Sequence, residues 1–250
     1  MFKQLSALPK RFQAFLVHLI GSAIVAIFVV LLIFQIWYPA PLDKALNVSH
    51  IFLILLAVDV TLGPLLTLLV FKVGKKNLIF DVTVILLLQC FALCSGVWVV
   101  AQGRPAWIVF NKDRFDVVQV VDIDSRLLDQ AEPQYRTASW VGPLWVGATR
   151  PQDAEQRLNI MLEATLFGKD IAQRPNFYRS LDQMMYEIVQ RAQPLQMLYR
   201  FNQANAVEKV LTEWPKATSW VPLNARAKPM VVLLGKNRGE ILTVVDLNPW

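Results

Sequence analysis

Three long apolar runs constrain the fold of this chain more than any other feature. They cover about residues 12–37, 50–71 and 78–100 of a 250-residue sequence. A helix of about 20 apolar residues crosses the hydrocarbon core of a bilayer, and each run reaches that length. Residues 104–250 contain no comparable run. The sequence therefore predicts three transmembrane helices within residues 1–103, followed by a separate domain at 104–250.

The positions of lysine and arginine predict the orientation of these helices. The N-terminal segment 1–11 and the turn 72–76 are rich in them, whereas the loop 39–49 holds only Lys44. Loops rich in these residues stay on the cytoplasmic side. We therefore expect a cytoplasmic N-terminus and an outer domain, which would be periplasmic if the membrane is a bacterial inner membrane. The aromatic residues expected at the outer interface are Trp37, Tyr38 and Trp98.

The second apolar run carries polar residues and a proline near mid-depth. Asp59, Gly63 and Thr67 follow one another at intervals of four and therefore share one helix face. A carboxyl at that depth costs on the order of 2.5 to 3.5 kcal/mol, and small residues let another helix approach closely. Pro64 leaves the Val60 carbonyl without its helical donor and is expected to bend the helix. This face is therefore predicted to contact another helix.

Three roles are compatible with the face formed by Asp59, Gly63 and Thr67. It packs the protein's own helices together, it receives a transmembrane helix from another protein, or it carries protons. His18 in the first run and Asp81 in the third lie at similar depths from the cytoplasmic end. The sequence therefore predicts an intramembrane polar pair between them. Both a hydrogen bond that fastens two helices and a functional role are compatible with that pair.

Residues 104–250 show the pattern of an α+β domain. Strands are predicted where β-branched and aromatic residues concentrate, at Trp107–Phe110, Phe115–Val121, Ser139–Val146, Trp220–Leu223, Pro229–Leu234 and Glu240–Leu247. The first two are expected to form a hairpin. Helices lie between two groups of strands, which predicts an antiparallel sheet covered on one side by about three helices.

Three helices are predicted in this domain. They run from Pro151 to Gly168, from a cap at Asn176 to Ala192, and over Val207 to Trp214. Apolar residues recur at helical spacing in each of them. We expect these residues to be core, including Leu158, Met161, Leu162 and Leu166.

The sequence shows no arrangement of catalytic or metal-binding residues. Residues 104–250 contain no histidine, which removes the commonest general base and metal ligand from the domain. Cys90 and Cys94 lie in the third apolar run and are too few to hold a metal. Asp122 and Asp124 lack the glycine and glutamate of a calcium loop. Basic and acidic residues are nearly equal in number after residue 103, so the charge does not indicate nucleic acid as a binding partner. We therefore expect no enzyme, cofactor or metal site.

Polar and aromatic positions in roughly the first half of the chain form a recognisable set. They are His18 with Gly21 and Ser22, Tyr38-Pro39, Asp59 to Thr67, Phe80-Asp81, Gln89, Arg104-Pro105, Val109-Phe110 and Asp113-Arg114-Phe115. Together they resemble the TfpX/TfpZ group of type IV pilin accessory proteins. One departure is at Cys94 and Ser95, where an aromatic residue is expected before Gly96. Beyond Val121 no motif matches.

The resemblance implies a bacterial inner-membrane protein that assists a cognate type IV pilin in stability, membrane extraction or pilus assembly. It implies no catalytic residue. The face formed by Asp59, Gly63, Pro64 and Thr67 is a candidate for docking a pilin helix. Two alternatives remain, namely a membrane-anchored periplasmic sensor or scaffold, and an oligomeric ion or proton pathway. The sequence leaves the oligomeric state open.

Overall fold

The computed structural model describes residues 8–236 and 239–250, and the chain divides into two compact units. The helical unit consists of Met1–Gln35 and Val48–Ala101, and the sheet unit consists of Ile36–Asn47 and Gln102–Trp250. Lys3, part of the basic segment used to predict orientation, lies outside the described residues, as do positions 237 and 238.

The helical unit contains the three predicted helices. Helix α1 spans Lys10–Leu31 and continues as a π-helical segment, Leu32–Trp37; α3 spans Val48–Val70 and α4 spans Leu78–Gln102. Helix α2, Leu42–Ala45, belongs to the sheet unit. By length and composition, α1 with its π-helical extension, α3 and α4 can each cross a membrane. Helix α3 continues through Pro64 without ending.

Large apolar side chains cover the outside of the helical unit. Leu69, Ile79 and Phe91 expose 80%, 84% and 73% of their surface. Apolar area left in water costs about 25 cal/mol per Å², whereas lipid tails are as apolar as leucine. In contrast, the polar side chain of Thr67 is buried. An apolar exterior around buried polar groups is the arrangement expected of helices that cross a bilayer.

The sheet unit is built on one eight-stranded sheet. Its strands are β1 Pro105–Asn111, β2 Arg114–Gln119, β3 Leu144–Ala148, β4 Tyr178–Ser180, β5 Gln193–Pro194, β6 Ala217–Asn224, β7 Met230–Gly235 and β8 Ile241–Val245. Their order is β4-β3-β1-β2-β6-β7-β8, with β5 beside β6. The predicted hairpin is confirmed as β1 and β2. The prediction of a purely antiparallel sheet is wrong, because β1 pairs with β3 and β2 pairs with β6 in parallel.

Helices and core residues cover both faces of the sheet, not one face as predicted. The helices are α5 Ala154–Phe167, α6 Met185–Arg191 and α7 Ala204–Glu213. Alternate residues of β1 enter different cores, since Phe110 packs in the core that contains Ile188 of α6, and Trp107 packs in the core that contains Ile160 of α5. Val207 of α7 belongs to a third core. Strand β1 is consequently buried along its whole length.

Two of the predicted helices differ from their observed counterparts. After Asn176 the chain forms β4 and a 3-10 turn, and α6 begins only at Met185. Helix α5 ends at the left-handed Gly168 as predicted, but Ile160 is its only buried residue. The apolar residues predicted to be core in α5 are instead 48–69% exposed, namely Leu158, Met161, Leu162 and Leu166.

The loop predicted at residues 39–49 lies largely within the segment Ile36–Asn47, which packs within the sheet unit. Leu42 and Ala45 of α2 are buried in the same core as Phe110. The backbone amides of Ala227 and Lys228 donate to the carbonyl of Ala45 at 3.0 and 3.1 Å. The α2 segment is therefore a structural part of the sheet unit.

Trp37 and Tyr38 are two of the three aromatic residues predicted at the outer membrane interface. The structure buries them, with 6% and 2% of their surface exposed. The rings of Trp37 and Trp140 lie 5.9 Å apart, and the guanidinium of Arg104 lies 3.8 Å from the centre of the Trp140 ring. These two aromatic residues therefore serve packing, whereas Trp98 is 60% exposed on α4.

Candidate functional site

A polar cluster inside the helical unit joins α1, α3 and α4. His18 and Ser22 come from α1, Asp59 and Thr67 from α3, and Gln89 from α4. His18 and Ser22 share one face of α1 because they are four residues apart. Polar groups without partners are costly in an apolar environment, so each of these side chains needs a donor or acceptor on a neighbouring helix.

The imidazole of His18 bridges the other two helices. Its Nδ1 lies 2.7 Å from Oγ1 of Thr67, and its Nε2 lies 2.8 Å from Oε1 of Gln89. The amide oxygen of Gln89 can only accept, so Nε2 of His18 donates in that contact. Nδ1 can then accept from the hydroxyl of Thr67. With a neutral imidazole, the hydrogen bonds run in one direction from Thr67 through His18 to Gln89.

The amide nitrogen of Gln89 completes the cluster. It donates to Oγ of Ser22 at 2.9 Å and to the backbone carbonyl of Asp59 at 3.1 Å. The neighbouring carbonyl, Val60, lacks its helical donor because Pro64 has no amide hydrogen. The side chain of Gln89 therefore uses both its donor and its acceptor groups on α1 and α3.

Gly63 allows this close approach of α4 to α3. A Cβ atom at position 63 would overlap Oε1 of Gln89 and would lie 2.5 Å from its Cδ. Any residue larger than glycine must therefore displace the side chain on which the cluster depends. Gly21 on α1 differs, since a Cβ there would meet no atom within 4 Å.

The predicted docking face on α3 contacts the protein's own helices in part. Gly63 packs against Gln89, and Thr67 bonds to His18. The predicted pair of His18 and Asp81 does not form, because both ring nitrogens of His18 have other partners. Asp81 instead forms an ion pair with Lys75, whose Nζ lies 2.5 Å from its Oδ2.

A groove of about 510 Å³ opens beside the polar cluster. All five cluster residues line it, including Asp59. The rest of the lining is mainly apolar and comes chiefly from α1 and α4, for example Val17, Leu86, Cys90 and Leu93. The groove thus combines an apolar surface with a few polar groups, as sites for helical or small ligands do.

The sequence patterns did not predict the central role of Gln89. It appears only in the set of positions that resembles the TfpX/TfpZ group, although it is the sole glutamine in the third apolar run. An uncharged amide in a long apolar run is itself a signal, since such a side chain requires partners within the membrane. Its partners His18 and Ser22 are 71 and 67 residues away, which no local pattern specifies.

The cluster contains few metal-ligating side chains. Within residues 8–236 and 239–250, no three or more His, Cys, Asp or Glu side chains are placed to hold a metal ion. The hydrogen bonds of His18 and Gln89 connect the three helices to one another. The arrangement is suited to helix association and to binding an apolar partner beside a polar group.

Comparison with known proteins finds relatives that are similar to this protein over nearly its whole length. The family model "Fimbrial assembly protein FimB" matches residues 6–47. The fimbrial assembly proteins of serogroups I and E1 from Dichelobacter nodosus are each 30% identical over 243 residues, covering 94% of this chain and 94% of the relative. The protein of serogroups C1 and C2 is 33% identical over 116 residues, covering 46% of this chain and 86% of the relative. No solved structure matches.

The similarity is not confined to the apolar helices, whose composition alone would align with many membrane proteins. It extends through the sheet unit, because an alignment of 243 residues must include most of Gln102–Trp250. Because two relatives are 30% identical over 94% of both chains, the chain belongs to the family of fimbrial assembly proteins.

Proposed function

We propose that this protein assists the assembly of type IV pili and that the transmembrane helix of a pilin occupies the groove between α1 and α4. The observation that carries the proposal is the groove itself, which is lined by apolar side chains and by the His18–Gln89 cluster. The family relationship supports the pilus-assembly role, since the relatives are named fimbrial assembly proteins.

The chemistry of the groove suits a helix that is itself embedded in lipid. Association of helices within a bilayer depends on close packing and on polar contacts, because apolar side chains gain little by leaving the lipid. Gly21 provides space for close approach, and Asp59 lines the same groove. An acidic residue at that depth is stabilised by a donor on the partner helix.

The proposed group, location and orientation of the protein are based on the resemblance and on the distribution of charge. We propose that the protein is a member of the TfpX/TfpZ group. In this proposal it lies in the bacterial inner membrane, with a cytoplasmic N-terminus and with residues 104–250 in the periplasm. Its action in this proposal is non-enzymatic. The protein holds a pilin subunit in the membrane until the subunit is extracted into the pilus.

The native cysteines provide a direct test. Cys90 lines the groove, and both Cys90 and Cys94 are exposed. A Cys94→Ser variant leaves Cys90 as the single thiol. We expect a short bismaleimide to link Cys90, in living cells, to a cysteine placed in the transmembrane helix of the cognate pilin.

The matched control moves the thiol to the opposite face of α4. Leu88 is 64% exposed and does not line the groove. A variant with Leu88→Cys, Cys90→Ser and Cys94→Ser should give little of the linked product at equal protein levels. Equal linkage from both positions, or none from Cys90, would remove the groove as the docking site.

Ion conduction is less well supported by the same geometry. The polar groups of the cluster bond to one another, and most of the groove lining is apolar. A periplasmic sensor or scaffold is tested separately. In the test, α1, α3 and α4 are exchanged for an unrelated membrane anchor. A sensor or scaffold should keep its function after this exchange, whereas a protein that docks pilin in the groove should lose it.

A further inference from the structure

A basic trough lies on the sheet unit and shares no lining residue with the groove. It consists of two cavities, of about 410 and 680 Å³, that share Lys112 and Arg150. Arg157 of α5 lines the smaller cavity, and Arg191 of α6 lines the larger one. These four cationic residues define the trough.

The charge of the trough is not neutralised by its own side chains. In the part of the chain that the structure describes, none of its four cations forms an ion pair. The carboxylate of Asp170 lines the trough but accepts from the amide of Asn111 at 3.0 Å and from the backbone amide of Ile171 at 2.7 Å. Glu187 is the other acidic residue in the lining. Cations therefore outnumber carboxylates along the trough.

An exposed apolar face of α5 borders the trough. Leu158, Met161, Leu162 and Leu166 lie on one side of this helix and expose 50%, 59%, 48% and 69% of their surface. Met161 also lines the smaller cavity, so the apolar face and the trough are continuous. An exposed apolar face rimmed by cations that form no ion pair within the described residues has the pattern of an interaction surface.

We propose that the trough binds an acidic polypeptide segment whose carboxylates pair with Lys112, Arg150 and Arg157 and whose apolar side chains cover α5. Arginine suits this partner because its guanidinium can bind a carboxylate through two parallel hydrogen bonds. A polypeptide fits better than a lipid surface, because the cations line two recessed cavities whereas a membrane surface is flat. This interaction goes beyond the proposed pilin docking and does not require a helix in the groove.

The test uses the full chain in a neutral detergent. The probe is a short fluorescent peptide in which glutamate and leucine alternate, and a version with glutamine in place of glutamate serves as the uncharged control. Fluorescence anisotropy gives the Kd of each. We expect the glutamate peptide to bind more tightly, and its affinity to fall as salt is raised.

Charge reversal locates the binding site. The double variant Lys112→Glu/Arg150→Glu should weaken binding of the glutamate peptide by at least about tenfold, since like charges then face each other. The matched control is Lys216→Glu/Arg200→Glu, which reverses two exposed cations outside the trough. That variant should bind as the unmodified protein does.

Three results would overturn the inference. The first is equal loss of affinity in both double variants. The second is binding to vesicles of phosphatidylglycerol but not to the peptide. The third, which needs no variant, is an affinity of the unmodified protein for the glutamate peptide that does not change with salt. Linkage of pilin through Cys90 is a separate measurement, so either proposal can fail while the other stands.

Discussion

Nε2 of His18 on α1 lies 2.8 Å from Oε1 of Gln89 on α4, and this contact connects two membrane-length helices that are not consecutive in the chain. The same two side chains also bond to α3, His18 through Thr67 and Gln89 through the backbone of Asp59. The three helices thus share one polar centre, and a groove opens beside it.

Removal of the Gln89 amide should loosen the helical unit. Gln89→Leu leaves Nε2 of His18 and Oγ of Ser22 without their partners. Individual hydrogen bonds between membrane helices contribute about 0.6 to 1.7 kcal/mol, so we expect a loss of about 1 to 3 kcal/mol. The change in the free energy of unfolding is measured in mixed micelles with increasing fractions of dodecyl sulfate. Leu88→Ala, at an exposed position on the same helix, should change the free energy of unfolding far less.

Substitution of Gly63 should be destabilising even when the new side chain is a single methyl group. Gly63→Ala places Cβ on the side chain of Gln89 and should cost about 1 to 3 kcal/mol. Gly21→Ala is the matched control, because a Cβ at that position meets no atom within 4 Å. Shortening Gln89 to alanine should recover part of the loss caused by Gly63→Ala. Additive effects in the double variant would contradict direct packing of these two residues.

Filling the groove should affect the partner and not the fold. Gly21→Leu adds a side chain to the groove lining where open space exists. We expect protein levels and detergent stability close to those of the unmodified chain, and a clear reduction in surface pili and in pilin recovered with the protein. Quantitative immunoblotting of sheared pili provides the measurement. Normal piliation in cells with normal protein levels would contradict docking at this position.

The buried carboxylate of Asp124 should make the sheet unit sensitive to acid. Hydrogen bonds from Arg126 hold the pKa of Asp124 at about 2, and its Oδ2 lies 2.6 Å from Nη2 of Arg126. A carboxylate whose pKa is lower in the folded state stabilises the fold above its unfolded pKa of about 3.9, and this contribution disappears as the pH falls through the folded value. Asp124→Asn should therefore cost about 1 to 3 kcal/mol at neutral pH.

Urea unfolding across pH tests this linkage. The difference between the unmodified chain and Asp124→Asn should shrink as the pH falls from about 4 to about 2. Asp129→Asn is the matched control, since Asp129 is exposed and its carboxylate forms no ion pair within the described residues. A difference that stays constant over this pH range would assign the effect of Asp124→Asn to packing and not to charge.

The α5 helix shows how a correct local prediction can lead to a wrong tertiary one. The spacing of Leu158, Met161, Leu162 and Leu166 predicted a helix, which is confirmed, and predicted that this face is core, which is wrong. Periodicity shows that a helix has one apolar face, but it does not show what covers that face. In this chain Ile160, on the other side of α5, makes the core contact.

Length and apolar composition are local properties, so the sequence by itself determined the three membrane-length helices and the β1–β2 hairpin. The same holds for the polar and small residues Asp59, Gly63 and Thr67 on one face of α3. Tertiary structure alone decided that His18 bonds to Thr67 and Gln89 instead of pairing with Asp81, that β1–β3 and β2–β6 are parallel, and that Tyr38 is buried. Each of these features joins residues far apart in the chain, and the free energy of such contacts depends on a geometry that no local pattern contains.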